Sequence, residues 1–297
     1  MKELSIDAFA KINLALDVVD KLPNGYHVVR MIMQTVKIGD ELTITRIPYE
    51  GDGPAPIELA GDCGEQVPLN EHNLIYKAAR LMQEEYGLTD GIKIYLKKRI
   101  PIAAGMAGGS TDAAATLKGL NQLFELGLEE SRLRELGVRL GADVPYCIMG
   151  GTALAEGIGE ELTPLAPMPD CYLVVVKPPV NVSTAFVYGQ IDSFGVKRHP
   201  DVDGMIDAIR EKDLKGVAVR LDNVLEQVTV SECPMIQEIE EALKQKGALG
   251  SLMSGSGPSV FGIFDDEDKA KKATAYMEEN YASCQIFLTK PFNNFTV

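Results

Sequence analysis

The segment Pro101-Ile102-Ala103-Ala104-Gly105-Met106-Ala107-Gly108-Gly109-Ser110-Thr111-Asp112-Ala113-Ala114 constrains this chain more than any other. It follows the run Ile92 to Leu96, which reads as a strand, and leads into apolar positions at helical spacing. A strand-to-helix turn with three glycines suits an anion. Glycines let the backbone come close to phosphate oxygens, while the first helical N–H groups and the helix dipole point at bound charge. Ser110 or Thr111 can add a hydroxyl donor or a magnesium ligand. The alternative is a merely tight turn capped by Ser110. No lysine follows Gly109 as in a Walker A loop, no Gly-x-Gly-x-x-Gly follows a strand, and the His-Arg-Asp and Asp-Phe-Gly elements of protein kinases are absent.

Composition narrows the partner. A net charge of -14 repels nucleic-acid backbones and anionic lipid surfaces, so the expected partner is a small molecule, with no nucleic acid and no membrane. An anionic partner then needs positive potential built locally. Five scattered cysteines without a Cys-x-x-Cys pair read as reduced thiols, and the three histidines lack ligand spacing for a transition metal. The amino-terminal stretch lacks a signal-peptide core and no eighteen apolar residues run together, which points to the cytoplasm.

The 297 residues, 45% hydrophobic, are expected to form two domains, 1–163 and 164–297, joined where Pro164, Pro167 and Pro169 cluster. Residues Ile6 to Val19 and Val28 to Ile47 read as strands around the turn Pro23-Asn24-Gly25. Asn73 can cap a helix ending near Gly87. Ala113, Leu117, Leu120 and Phe124 mark a second helix, and Leu133, Leu136 and Leu140 a third that stops at Gly141. The second half reads as strand Tyr172 to Val176, a helix from about Pro234, strands Leu249 to Met253 and Val260 to Phe264, a helix over Asp268 to Glu279 and a strand Gln285 to Thr289. That alternation suggests a split-βαβ domain. Residues 48–68 read as excursions around short strands and carry no assigned function.

The glycine-rich segment is similar to the phosphate-binding motif of the GHMP kinases. Ala10-Lys11-Ile12-Asn13-Leu14 and Met253-Ser254-Gly255-Ser256-Gly257-Pro258-Ser259 resemble that superfamily's first and third motifs, in order and over nearly the whole chain. Within it, Lys11 to Leu14, Pro23-Asn24-Gly25-Tyr26-His27 and Gly141-Ala142-Asp143-Val144-Pro145-Tyr146 resemble the 4-diphosphocytidyl-2-C-methyl-D-erythritol kinases of non-mevalonate isoprenoid synthesis.

The resemblance implies an α+β fold of two domains, the first ribosomal-protein-like (S5 domain 2-like), the second ferredoxin-like. It implies ATP and magnesium as cofactors, with residues 101–111 at the nucleotide, and transfer of the γ-phosphoryl group to the substrate's 2-hydroxyl. Lys11 and Asp143 become the catalytic pair. An alcohol and a carboxylic acid differ by roughly 12 pKa units, so the aspartate orients the hydroxyl and takes its proton only as the new bond forms. The sequence supports part of this, since an extended Val144-Pro145 dipeptide after a helix end is expected to hold the Asp143 carboxylate at an element's edge; the alternative reading of Asp143 is a cap or turn residue. By resemblance His27 reads the cytosine, Tyr26 and Tyr188 stack on it, and Asn13 contacts the erythritol end. From residues alone, Tyr26 and His27 are a turn-flanking tyrosine and an exposed histidine, Phe186 could replace Tyr188, and Asn13 could be a strand-end polar group. The Ser254 to Gly257 turn closes the site beside the phosphates or is an ordinary connection.

Many relatives carry Leu and Gly where this chain has Met106 and Ala107. Only backbone N–H groups are needed there, so alanine is expected to cost little unless position 107 requires positive φ. Competing readings are a homoserine- or mevalonate-type kinase, which would leave the Tyr26-His27 pair without a base, and a non-catalytic nucleotide-binding sensor, against which Lys11 and Asp143 speak. An RNA-binding module is opposed by the acidic balance.

Overall fold

The computed structural model describes residues 2–293. They form two compact units that interleave along the chain. One takes the chain up to Ala10, Ile38–Ile100 and Ala107–Met149; the other takes Lys11–Lys37, Pro101–Met106 and the chain from Gly150 on. The first two strands, β1 (Lys2–Lys21) and β2 (His27–Ile47), each contribute to both units.

In the first unit they are followed by β3 (Ile57–Asp62), α1 (Leu74–Tyr86), β4 (Gly91–Lys97), α2 (Gly108–Leu123), α3 (Glu130–Val138) and α4 (Val144–Met149). The strands run in the order β3-β4-β2-β1, with β4 antiparallel to β2 and β3 parallel to β4. Leu42, Ile44, Ile92, Ile94 and Leu96 meet Ile75, Ala78 and Met82 of α1 and Ala113, Leu117 and Leu120 of α2 in one core. Burying each large side chain among them stabilises the unit by about 1.5–3 kcal/mol. Helix α1 starts and stops as the sequence predicts. The Asn73 side chain accepts the Ile75 N–H at 2.9 Å, and Gly87 closes the last turn at φ 60°.

In the second unit, β5 (Thr152–Glu156) pairs antiparallel with the start of β2 and returns in β6 (Glu161–Pro164). Thr163, beside the expected domain join, lies in this hairpin opposite Leu154. The unit continues with β7 (Tyr172–Lys177), α5 (Thr184–Phe194), α6 (Val202–Arg210), α7 (Leu214–Ala218), β8 (Asp222–Asn223), α8 (Glu226–Glu232), α9 (Met235–Gln245), β9 (Gly250–Met253), β10 (Val260–Phe264), α10 (Glu267–Asn280) and β11 (Gln285–Thr289). A four-stranded antiparallel sheet has the order β11-β7-β10-β9, the split-βαβ arrangement read from the sequence. Ile236, Ile239 and Leu243 of α9 and Ala270, Ala273 and Met277 of α10 cover it. Among the described residues no helix is long and apolar enough to cross a membrane.

Candidate functional site

Lys11 and Asn13 sit two residues apart on β1, so their side chains leave the same face of the strand. Both are buried. The Lys11 ammonium donates to the Asn13 side-chain carbonyl at 2.7 Å, and the Lys11 N–H donates to the Met106 carbonyl at 3.2 Å. The Asn13 N–H reaches Ser254 Oγ at 3.3 Å, and that hydroxyl donates to the Gly105 carbonyl at 3.0 Å. Three segments far apart in sequence are therefore tied together within the second unit.

That closeness demands glycine at two positions. A Cβ on Gly105, at φ 71°, would lie 2.1 Å from the Ser254 carbonyl oxygen. One on Gly255, at φ 59°, would lie 3.0 Å from the Gly105 carbonyl, 3.3 Å from Asn13 Oδ1 and 3.4 Å from Lys11 Nζ. Asn223 of β8 braces this turn, its amide donating to the carbonyls of Met253 at 2.9 Å and Gly255 at 2.8 Å.

In the first unit, α2 begins at Gly108 without a side-chain cap. Its first intrahelical bond runs from the Thr111 N–H to the Ala107 carbonyl at 2.9 Å, so the N–H groups of Gly108, Gly109 and Ser110 lie at the open end. Ser110 is the third helical residue, which corrects the reading of it as a cap. The Thr111 hydroxyl is taken by the Phe9 carbonyl at 2.8 Å, whereas the Ser110 hydroxyl makes no hydrogen bond among the described residues. Ala107 has φ 56° and ψ 31°, the positive φ named as the exception, so alanine carries a backbone cost there.

Against the start of α2 lies a buried charge cluster. Lys98 bonds Asp40 at 2.5 Å and Asp112 at 2.7 Å, and a Cβ on Gly108 would come within 3.1 Å of its ammonium. Burial pushes the Asp112 carboxyl up to about 8, against the pull of Lys98. Burial also lowers Lys98, but the Asp112 and Asp40 carboxylates outweigh it and leave the ammonium above its ordinary range.

Asp143, half-buried, is the last residue before α4, and its carbonyl accepts the Cys147 N–H at 3.0 Å. Val144 and Pro145, expected to be extended, instead open that helix. Proline is tolerated in a first turn because its missing N–H has no intrahelical partner to lose there. Gly137 lets α4 lie close on α3, since a Cβ there would meet Val144 and Ile148 at 3.0 Å.

Back in the second unit, Tyr26 is 58% exposed while His27 is buried, correcting the exposed-histidine alternative. His27 Nε2 lies 2.7 Å from Asp192, and its ring centroid lies 5.4 Å from that of Tyr188 at a 37° tilt. This contact favours Tyr188 over the exposed Phe186 as the ring beside His27. Among the described residues no group of three His, Cys, Asp or Glu side chains could hold a metal ion, and the five cysteines are free thiols.

Residues 73–151 match the family model for the GHMP kinases N terminal domain, and residues 205–283 that for the GHMP kinases C terminal domain. A 4-diphosphocytidyl-2-C-methyl-D-erythritol kinase of Lachnospira eligens is 50% identical over 98% of this chain and 99% of its own. The corresponding kinase of Lachnoclostridium phytofermentans is 49% identical over 100% of both chains. The chain belongs to the 4-diphosphocytidyl-2-C-methyl-D-erythritol kinase family. A crystal structure of a 4-(cytidine 5'-diphospho)-2C-methyl-D-erythritol kinase superposes with a TM-score of 0.81 at 31% identity, covering 98% of this chain and 100% of that one. Homoserine kinase from Cytophaga hutchinsonii, at 20% identity and a TM-score of 0.76 over 98% of this chain and 95% of its own, shares the fold.

Within this kinase family member, sequence reasoning missed Lys98, Asp40, Asp192 and Asn223. Lys98 lies three residues before Pro101, at the head of the glycine-rich segment, a signal that was available. Asp40, Asp192 and Asn223 lie in segments with no glycine motif, and only the fold brings each to the group it bonds, Lys98, His27 and the Gly255 carbonyl respectively.

Proposed function

We propose that this protein transfers the γ-phosphoryl group of ATP to the 2-hydroxyl of 4-diphosphocytidyl-2-C-methyl-D-erythritol. The observation that carries the reading is the single Ser254 hydroxyl bonded both to the Asn13 N–H and to the Gly105 carbonyl, which sets the lysine-bearing strand against the phosphate loop. Lys11 stabilises charge on the transferring group, with its ammonium oriented by Asn13. Asp143 orients the substrate hydroxyl and accepts its proton as the bond to phosphorus forms. Residues 101–111 hold the nucleotide phosphates, using the open N–H groups at the start of α2. Asn13 faces the erythritol end, and Tyr26, His27 and Tyr188 hold the cytosine.

A magnesium ion brought in with the nucleotide would be held largely by phosphate oxygens and water, so it would require no protein cage. Ser110 fits as the chain's ligand because its hydroxyl is uncommitted and Thr111's is not. The ion supplies charge neutralisation on the phosphates. The two family segments leave residues 152–204 between them, and the division near residue 163 falls in that stretch. The acidic surface and the small anionic substrate accord with a cytoplasmic enzyme that binds neither nucleic acid nor membrane.

The test follows ADP release from ATP and magnesium with the cytidyl substrate, homoserine and mevalonate, for the wild type and Asp143→Ala. Turnover of the cytidyl substrate alone, reduced by about a hundredfold or more in the variant, is expected. Turnover of homoserine or mevalonate would overturn the substrate assignment, and nucleotide binding without any turnover would make the protein a sensor.

A further inference from the structure

We infer that Asp192 is a positioning residue that fixes which hydrogen-bonding edge His27 offers, and that this makes the site select cytosine over uracil. The inference rests on the proposed placement of the base at His27. Its physical basis lies within the second unit. The His27 side chain is 7% exposed and packs beside Tyr188, so the ring is not free to reorient without repacking. Its Nε2 lies 2.7 Å from Asp192 Oδ1, and the carboxylate's other oxygen is engaged by Lys21. Lys21 and His27 hold the Asp192 carboxyl below its ordinary range, so it stays ionised at neutral pH.

An ionised carboxylate only accepts hydrogen bonds, so the hydrogen of the neutral ring sits on Nε2. Nδ1, which has no hydrogen-bond partner among the described residues, is then an acceptor. Cytosine presents an amino donor at the position where uracil presents a carbonyl acceptor. An acceptor nitrogen pairs with the first and opposes the second. Tyr188 and Asp192 are four residues apart on α5, so one helix face carries both the stacking ring and the carboxylate that sets the tautomer.

The experiment compares kcat/KM for the cytidyl substrate and its uridyl counterpart at pH 8 in the wild type, Asp192→Asn and Asp192→Ala. Asparagine keeps the shape but can donate as well as accept, which releases the tautomer. We expect the cytidyl-to-uridyl preference to fall by about tenfold or more, mainly through a higher KM for the cytidyl substrate. The KM for ATP should hold, because Asp192 bonds Lys21 and His27 rather than the glycine-rich segment, and the melting temperature should hold in Asp192→Asn, which keeps a hydrogen-bond partner for the His27 ring. The nitrogen-15 spectrum of the labelled histidines should show His27 protonated on Nε2 in the wild type and a tautomer mixture in Asp192→Asn, with His27→Gln identifying the signal. An unchanged preference, or a wild-type ring protonated on Nδ1, would overturn the inference. If the cytidyl substrate is not turned over at all, the functional reading has failed, and binding of cytidine and uridine diphosphates decides separately. Cytidine selectivity lost in Asp192→Asn supports the role of Asp192; equal binding of both nucleotides by the wild type refutes it.

Discussion

Asp112 meets the Lys98 ammonium at 2.7 Å through one carboxyl oxygen, while its other oxygen is buried without a hydrogen-bond partner among the described residues. With Asp40 on the same ammonium, one cation faces two carboxyl groups in a dry setting, and the cluster is neutral only if one of them keeps its proton. Burial selects Asp112, pushed up to about 8.

The sign of the pH dependence follows. Between the ordinary carboxylate pKa and about 8, the folded protein holds a proton on Asp112 that the unfolded chain has lost. Stability contributed by this group is therefore full below that window, declines as pH rises through it and levels off above. Glu240, also raised to about 8 by burial and by Glu226, has the same sign, so the comparison between variants is decisive. Asp112→Asn, which cannot titrate, should show a shallower fall in melting temperature from pH 6 to 9 than the wild type. Parallel curves would mean that Asp112 does not carry the proton.

Ala107 adopts a left-handed conformation at the entrance to α2, where an L side chain costs about 1–2 kcal/mol. Glycine removes that strain but gains freedom in the unfolded chain, and the two effects partly offset. Ala107→Gly should therefore stabilise the protein by about 1 kcal/mol, read from the denaturant midpoint. The reverse substitution at a neighbour, Gly105→Ala, should be strongly destabilising, because its Cβ would overlap the Ser254 carbonyl at 2.1 Å.

Much of this was legible in the sequence, and the rest was not for identifiable reasons. Strands β2 and β4 and helices α1, α2 and α10 follow from alternating or helical spacing of apolar residues, and β1, β7 and β10 from apolar, β-branched-rich runs; β7 and β10 are buried at nearly every position. Helix α4 was hidden because proline usually marks extended chain, and here it occupies a first turn. Helix α5 buries only Val187 and Ile191, too few for a periodic signal, so its carriage of Tyr188 and Asp192 was unreadable. Among the site residues, the glycine motifs announce themselves. The residues that brace them, Asn223 and Asp40, stand beside other polar residues, Asp222 and Glu41, so nothing in the sequence sets them apart.

Gly255 lies over the Lys11–Asn13 pair so closely that a methyl group would press on the Gly105 carbonyl, Asn13 Oδ1 and the Lys11 ammonium at once. None of these is the free end of a flexible, exposed side chain. Gly255→Ala should lower kcat by about a hundredfold, the scale expected when a catalytic group is displaced by around 1 Å. Single-turnover phosphoryl transfer is the appropriate measurement. A kcat within twofold of wild type would show that the turn yields without disturbing Lys11.

Asn223 is 5% exposed, and all its polar atoms are used: the amide on the Met253 and Gly255 carbonyls, the side-chain oxygen on the Leu225 N–H at 3.0 Å. Replacing it by alanine leaves two carbonyls and one N–H without partners, each costing about 1–3 kcal/mol when buried. Aspartate retains the acceptor for Leu225 but aims a carboxylate oxygen at the two carbonyls where an amide donor stood, turning two attractions into repulsions. Asn223→Asp should therefore be at least as destabilising as Asn223→Ala despite its closer shape, and both should raise the KM for ATP. The measurements are the urea midpoint and the nucleotide KM at pH 8, where the introduced carboxylate is expected to be ionised. If the aspartate variant proves the more stable of the two, the amide is not what holds this turn over the site.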